Sequence, residues 1–277
     1  MNLAQGSGGR TLAGSQVEMP RNGMTQTCRV DCVPYEELPP AIPAATVVLL
    51  RDAPGGVETL MLRRNSKLAF AGGAWVFPGG RIDPEDYPNG APTTEATPTA
   101  ISPTAISPTE RPDATAAARI AAVREAKEEA GLVVDPDGLV WFAHWTPGPL
   151  AARRFATWFF MTRAPEGPVV VDDGEIHEHL WIRPAEAMAR RDVGEIELIP
   201  PTWMTLRMLA DEPSVDAAIA TARAHDPHIY ITHIARVDGG IASMWQGDAG
   251  YDDGDALKPG PRNRLLMLDD GWRVEIS

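Results

Sequence analysis

The segment Arg124-Glu125-Ala126-Lys127-Glu128-Glu129-Ala130-Gly131-Leu132 constrains this chain more than any other. In an α-helix, positions i, i+3 and i+4 share a face, so Glu125, Glu128 and Glu129 converge on one turn. Ile120, Val123, Ala126 and Ala130 are expected on the opposite side, which gives the helix one face for a core and one for charge. Like charges at this spacing disfavour an isolated helix by roughly 0.2–0.5 kcal/mol per pair. A hard divalent cation removes that repulsion, and a donor set made only of oxygen suits Mg²⁺ or Mn²⁺. Gly131 supplies the stop, because it reaches positive φ without steric cost. A solvated helix carrying an Arg124–Glu128 surface pair would show the same run, so a second feature must decide. Val76-Phe77-Pro78-Gly79-Gly80-Arg81 is that feature, an apolar strand ending in a turn whose glycines let backbone carbonyls approach a ligand closely.

Around these two features the chain reads as alternating strands and helices. Strands are expected at 44–51 and 57–63, joined as a hairpin across Ala53-Pro54-Gly55-Gly56. The acidic helix should run from Ala114 to Ala130, with Asp113 or Thr115 as its N-cap. Further strands are expected at 139–145, 155–162 and 178–182. Helices should begin at Pro184 and at Pro200-Pro201, the second reaching about Leu209, with another over 215–224. Strands at 229–231, 264–268 and 272–276 complete the tail, the last two joined by the turn Asp269-Asp270-Gly271. Residues 1–40 read as a mobile leader, 41–210 as the main domain, and 211–277 as a helix-and-strand extension packed on it. Within the domain, 87–113 repeats Ile-Ser-Pro-Thr and forms a low-complexity insertion that can continue neither helix nor strand. The interleaving points to an α/β protein, an α/β/α sandwich around a mixed sheet.

Composition excludes several function classes. A formal net charge of −13 over 277 residues argues against binding nucleic acid or an anionic membrane through general electrostatics. Apolar runs fall short of the roughly 20 residues that span a bilayer, and the N-terminus lacks the apolar centre of a signal peptide. Cys28 and Cys32 are too few for a disulfide framework or a complete metal site, so they read as reduced thiols and place the chain in the cytoplasm.

The helix and the glycine turn together resemble the Nudix hydrolase signature. In it a Gly, an acidic residue and an Arg-Glu-x-x-Glu-Glu-x-Gly helix form one loop-helix-loop. Gly80 matches the glycine, Arg124 and Glu125 the Arg-Glu pair, Glu128 and Glu129 the metal-binding pair, and Gly131-Leu132 the end. The match is split in the middle, where the insertion replaces a short spacer. Counting forward from Gly80 places Asp86 at the first acidic position, whereas counting back from Arg124 gives Ala116.

The resemblance implies the Nudix fold and a metal-dependent hydrolase that cleaves a diphosphate linkage in a nucleoside-diphosphate-linked small molecule. The flanks 60–80, 145–160 and 198–201 resemble the branch related to coenzyme A diphosphatases, with an insertion inside the box. Ala69 and Thr202 depart from that branch where Arg and Gln are usual. By the same resemblance Glu125, Glu128 and Glu129 hold the metal, with a carbonyl of Gly79 or Gly80 completing the shell. Arg124 orients the carboxylates, since a guanidinium is always cationic. Glu125, Glu175 and Glu178 are the candidates for general base, and Arg63, Arg64 and Arg81 those for substrate phosphates. His177 and His179 alternate at strand spacing, a weak metal motif, and Trp75 and Phe155 are aromatic candidates for stacking or core packing. The competing class is a catalytically weak Nudix-fold module that binds a nucleotide without turnover. The sequence leaves oligomeric state open, a homodimer among the options.

Overall fold

The computed structural model describes residues 41–65, 72–90, 112–148, 151, 153–171, 174 and 176–277. The predicted leader, with Cys28 and Cys32, and residues 91–111 of the insertion lie outside the described residues.

One mixed sheet carries the fold. Strand β1 (Ile42–Ala53) lies at its centre, antiparallel to β2 (Gly56–Arg64) through a tight hairpin and parallel to β6 (Phe155–Arg163). Two short strands flank this centre: β3 (Trp75–Val76) pairs with β2, and β4 (Gly79–Arg81) with the start of β1. Beyond β6 come β5 (Val140–Thr146) and β8 (His228–Ile231), while β7 (Ile176–Ile182) borders β2. The alternation of β1 sorts the interior into two layers. Ala45, Val47 and Leu49 point to one face with Leu60 and Leu62, and Val48 and Leu50 point to the other with Val57 and Met61.

Helix α1 (Pro112–Ala130) covers the first face. Helices α2 (Pro184–Asp192), α3 (Pro200–Leu209) and α4 (Val215–Arg223) cover the second. The predicted α/β/α sandwich is therefore present. The chain then adds a second sheet of β9 (His233–Val237), β10 (Gly240–Met244), β11 (Asn263–Leu268) and β12 (Gly271–Ile276). Trp245, Leu265 and Trp272 pack it onto the α2–α4 layer, so its apolar face extends the second core. Its other face closes over Met244 and Leu266, where Asp248 and Arg264 form a buried ion pair at 2.6 Å.

Two details of α1 differ from the sequence reading. The helix starts at Pro112, so Asp113 lies inside the first turn, where it accepts a hydrogen bond from Asn89 at 3.0 Å. Ile120 is 41% exposed, and the buried face consists of Ala117, Ala118, Ala121, Ala122, Ala126 and Ala130. At ~100° per residue Glu129 falls between Ala118 and Ala122 on the wheel. Its carboxylate therefore belongs to the alanine face, and the expected division into opposed core and charge faces is wrong for it. Alanine allows this, because its short side chain brings the helix close enough to the sheet for a glutamate to span the gap.

Candidate active site

The glycine turn is pinned from both sides. Gly79 and Gly80 pair in register with Thr46 and Ala45, and the flanking bonds Val47 N–H to Pro78 O and Ile82 N–H to Pro43 O measure 2.9 and 3.0 Å. A Cβ on Gly79 would sit 2.6 Å from the Ala45 carbonyl and 2.9 Å from the Thr46 Cα. On Gly80 it would sit 2.5 Å from the Glu125 carboxyl carbon and 2.8 Å from Oε2. Glycine at these positions is required by close approach, and at Gly80 the neighbour approached is a candidate ligand. Glu129, 5% exposed, accepts the Gly79 N–H at 2.9 Å, so α1 and the turn meet through two carboxylates.

Arg124 holds this meeting together. Its Nε and Nη2 form a fork on Asp86 at 3.2 and 2.9 Å, Nη2 also donates to the Arg81 carbonyl at 2.9 Å, and Nη1 reaches Glu125 at 2.8 Å and Glu128 at 3.1 Å. Asp83 lies at 3.6 Å. The hydrogen bond to Asp86, with the nearby carboxylate charge of Glu125, raises the guanidinium pKa further above its ordinary value, against the opposing effect of burial. Asp86 is 3% exposed and also accepts the Asp83 N–H at 2.8 Å. Asp86, and not Ala116, thus meets the arginine across the insertion. One positive charge cannot neutralise four carboxylates, which leaves demand for a cation at this turn.

The donors suit a hard cation in chemistry: glutamate oxygens from one helical turn against glycine backbone, with a built contact between Gly80 and Glu125. Among the described residues, no three carboxylate, imidazole or thiol groups already stand as a preformed cage. Glu128 remains over half exposed beside Arg124.

The remaining candidates are more scattered. Arg81 is exposed beside the turn and contributes its carbonyl to Arg124. Arg64 is half-buried at the end of β2, on the α1 face by alternation with Leu60 and Leu62. Arg63 points to the opposite face and pairs with Glu178 at 3.2 Å. Glu178 therefore lies across the sheet from the α1 carboxylates, which separates it from the site. Its neighbours His177 and His179 are exposed. Glu175, with Asp172 and Asp173, lies outside the described residues. Trp75 is buried in the second core layer, and Phe155 is half-buried at the start of β6. A cleft of about 970 Å³ opens on that second face between Trp75, Arg191 and Trp272, and it contains none of the α1 carboxylates. Sequence reasoning missed the linking role of Asp83, and it missed His144, a fully buried imidazole on β5. A polar residue inside Trp141-Phe142-Ala143-His144-Trp145 was the available signal.

A family model described as NUDIX domain matches residues 95–200, from within the insertion through α1 to the start of α3. Among solved structures, a NUDIX hydrolase from Alicyclobacillus acidocaldarius superposes with a TM-score of 0.52 at 21% identity, over 65% of this chain and 96% of that one. The fold is the Nudix fold. Two further structures match at lower TM-scores. The Ap4A hydrolase of C. elegans in a binary complex gives 0.36 at 20% identity, covering 60% of this chain and 93% of that one. The NUDIX domain of Shewanella oneidensis NrtR complexed with ADP ribose gives 0.41 at 12%, covering 61% and 86%. The chain thus carries the Nudix fold, with a match to the NUDIX domain over residues 95–200. The family match takes in the acidic helix of the Nudix domain but starts after the glycine turn, and structure reunites the two parts. Among the described residues, no helix is long and apolar enough to cross a membrane.

Proposed function

We propose that the chain is a cytoplasmic, divalent-metal-dependent hydrolase that cleaves the diphosphate linkage of a nucleoside-diphosphate-linked small molecule. The observation that carries this reading is the meeting of α1 with the glycine turn, where Arg124 ties Glu125 to Asp86 and Glu129 accepts the Gly79 N–H although Asp86 and Arg124 are 38 positions apart. Coenzyme A and its acyl esters are the compounds favoured by the flanking motifs. A bound Mg²⁺ or Mn²⁺ neutralises phosphate charge and acidifies a water molecule. Glu125, Glu128 and Glu129, with a carbonyl of Gly79 or Gly80, are the groups that would hold it.

The protein's own residues supply the rest. Arg124 fixes the carboxylates by charge-assisted hydrogen bonds, which limits their movement when substrate arrives. Glu125, mostly buried and tethered at 2.8 Å, is the described carboxylate best placed to accept a proton from the attacking water. Attack at phosphorus breaks the bridging P–O bond, and the departing phosphate takes the electron pair. Arg81 and Arg64 are the cations assigned to the flanking phosphates.

The deciding experiment incubates purified full chain with Mg²⁺ or Mn²⁺ and coenzyme A, acyl-coenzyme A, NADH, ADP-ribose, dinucleoside polyphosphates or nucleoside triphosphates, with mass spectrometry of the products. The expected result is cleavage at a diphosphate, abolished by chelator and by Glu129→Gln. No turnover of any compound would replace the enzyme reading with that of a nucleotide-binding module.

A further inference from the structure

The second sheet ends in an open edge. In the order β12-β11-β10-β9, strand β12 stands outermost, and among the described residues no other strand pairs with it. Its side chains alternate: Trp272, Val274 and Ile276 share the face turned to the α2–α4 layer, and Arg273 and Glu275 take the other. Its main chain alternates as well. The Ser277 N–H donates to the Arg262 carbonyl at 3.0 Å, on the β11 side, so the N–H and C=O groups of Trp272, Val274 and Ile276 point out of the sheet. Such a row is a template for another strand unless proline, a bulge or repelling charges blunt it. β12 contains no proline, and its register with β11 is free of bulges.

The charges of β12 select its partner. Opposite residues of an antiparallel pair share a face, so two copies of β12 related by a two-fold axis normal to the sheet have three registers that use most of the strand, centred on Arg273, Val274 or Glu275. The first sets Arg273 against itself and the third sets Glu275 against itself, and like charges directly opposite are destabilising. The register centred on Val274 sets Arg273 against the partner's Glu275 and Glu275 against the partner's Arg273. It also sets Ile276, 74% exposed, against the partner's Trp272, and it brings the outward backbone groups of the two strands together. Both charges are available: Glu275 has no ion-pair partner among the described residues, and Arg273 reaches only Asp270, at 3.5 Å. The other edge of the sheet, β9, has Arg236 as its one fixed charge and cannot complement itself.

We infer that β12 is the dimerisation edge of this chain, pairing antiparallel with β12 of a second copy about a two-fold axis at Val274. The pairing joins two four-stranded sheets into one continuous sheet and leaves both α2–α4 layers on the same side of it. The edge is already ordered for this. The Trp272 indole lies beneath the Arg191 guanidinium at 4.1 Å and beside the Trp203 ring at 5.9 Å, which pins the strand to α2 and α3 and limits the entropy lost on association. No residue of the acidic helix or the glycine turn takes part, so the inference stands apart from the diphosphatase reading.

The test is sedimentation equilibrium of the full chain over a concentration series. Wild type is expected to show a monomer–dimer equilibrium. Arg273→Glu and Glu275→Arg each bring like charges together at both crossings and are expected to weaken the dimer about tenfold or more. An equimolar mixture of the two single variants restores opposite charges at both crossings, as does the double variant, and each is expected to dimerise as wild type does. Urea unfolding curves verify that every variant is folded. Wild type that stays monomeric across the series, single variants that dimerise like wild type, or a mixture that stays monomeric would overturn the pairing. A dimer that appears only after removal of residues 1–40 would make that segment, and not a second copy, the occupant of the edge, and would overturn it as well.

Discussion

Replacing Asp86 by alanine tests the junction on which the site depends. The carboxylate, 4% exposed, accepts two guanidinium N–H bonds at 3.2 and 2.9 Å and the Asp83 N–H at 2.8 Å. Removing one partner of a fully buried ion pair costs about 3–5 kcal/mol, because the other charge is left uncompensated. Arg124 is a quarter exposed and keeps the Arg81 carbonyl, Glu125 and Glu128. The expected loss is therefore lower, about 2–3 kcal/mol, the range for hydrogen bonds to charged groups. Urea unfolding of wild type, Asp86→Ala, Arg124→Ala and the double variant gives both the loss and the coupling between the two residues. Activity should fall at least tenfold in Asp86→Ala, since carboxylates released from Arg124 no longer keep their place beside the turn. Asp86→Asn keeps a hydrogen-bond acceptor and should fall between alanine and wild type. A loss below about 0.5 kcal/mol with unchanged kinetics, the size of a neutral surface change, would refute the role given to this pair.

Three further outcomes are expected. Gly80→Ala drives a methyl group into the Glu125 carboxylate, the movable end of a side chain, so metal-dependent turnover should collapse with only about 1–2 kcal/mol lost in stability; Gly79→Ala meets the Ala45 carbonyl and Thr46 Cα and should cost more in urea unfolding. Burial pushes the Asp248 pKa up, but Arg264 and the backbone N–H groups of Asn263 and Gly250 outweigh it and hold the group at about 2, below the ordinary 3.8. The stability it contributes, about 2 kcal/mol, is present above pH 4 and lost as pH falls towards 2, so acid unfolding followed by Trp fluorescence should lose that component in Asp248→Asn. Replacing 91–111 by a short Gly/Ser link should leave kcat and KM unchanged, because the chain ends on either side are already joined by the Asn89–Asp113 bond.

The sequence made the sandwich legible where periodicity was strong. Each predicted long strand and helix appears within two residues or so of its expected bounds, because β-branched runs and Pro-initiated helices are local signals. The strands β3 and β4 have two and three residues and exist only through their pairing with β2 and β1, which no local pattern announces. The β9–β10 hairpin was missed although Asp238-Gly239, with Gly239 at φ 74°, carries a hairpin-turn signal. At the site, spacing identified the three glutamates and the glycine turn. Glu178 was a candidate for general base only through the family resemblance, and the structure sets it in register with Arg63 on the face away from α1, because a strand sends successive side chains to opposite faces. His144 belongs to no motif, and its one sequence signal was a polar residue inside an apolar strand.

The split box raises a physical question: why an insertion should not separate two halves that must act together. Lengthening the path from Asp86 to Arg124 from about 8 positions, as in an uninterrupted signature, to 38 costs only roughly 1–1.5 kcal/mol in closure entropy, since the term grows with the logarithm of length. The Arg124–Asp86 fork, at about 2–3 kcal/mol, exceeds that cost. The Asn89–Asp113 bond further closes the neck, at the point where the insertion leaves and rejoins the fold. Insertion length should therefore be nearly free to vary, while the residue at the neck that meets Arg124 is not. Chains with linkers of graded length in place of 91–111 should change little in stability, whereas Asp86→Ala should be costly in every one of them. A penalty for Asp86→Ala that vanished in the shortest linker would show that chain connectivity, and not the ion pair, holds the acidic helix against the glycine turn.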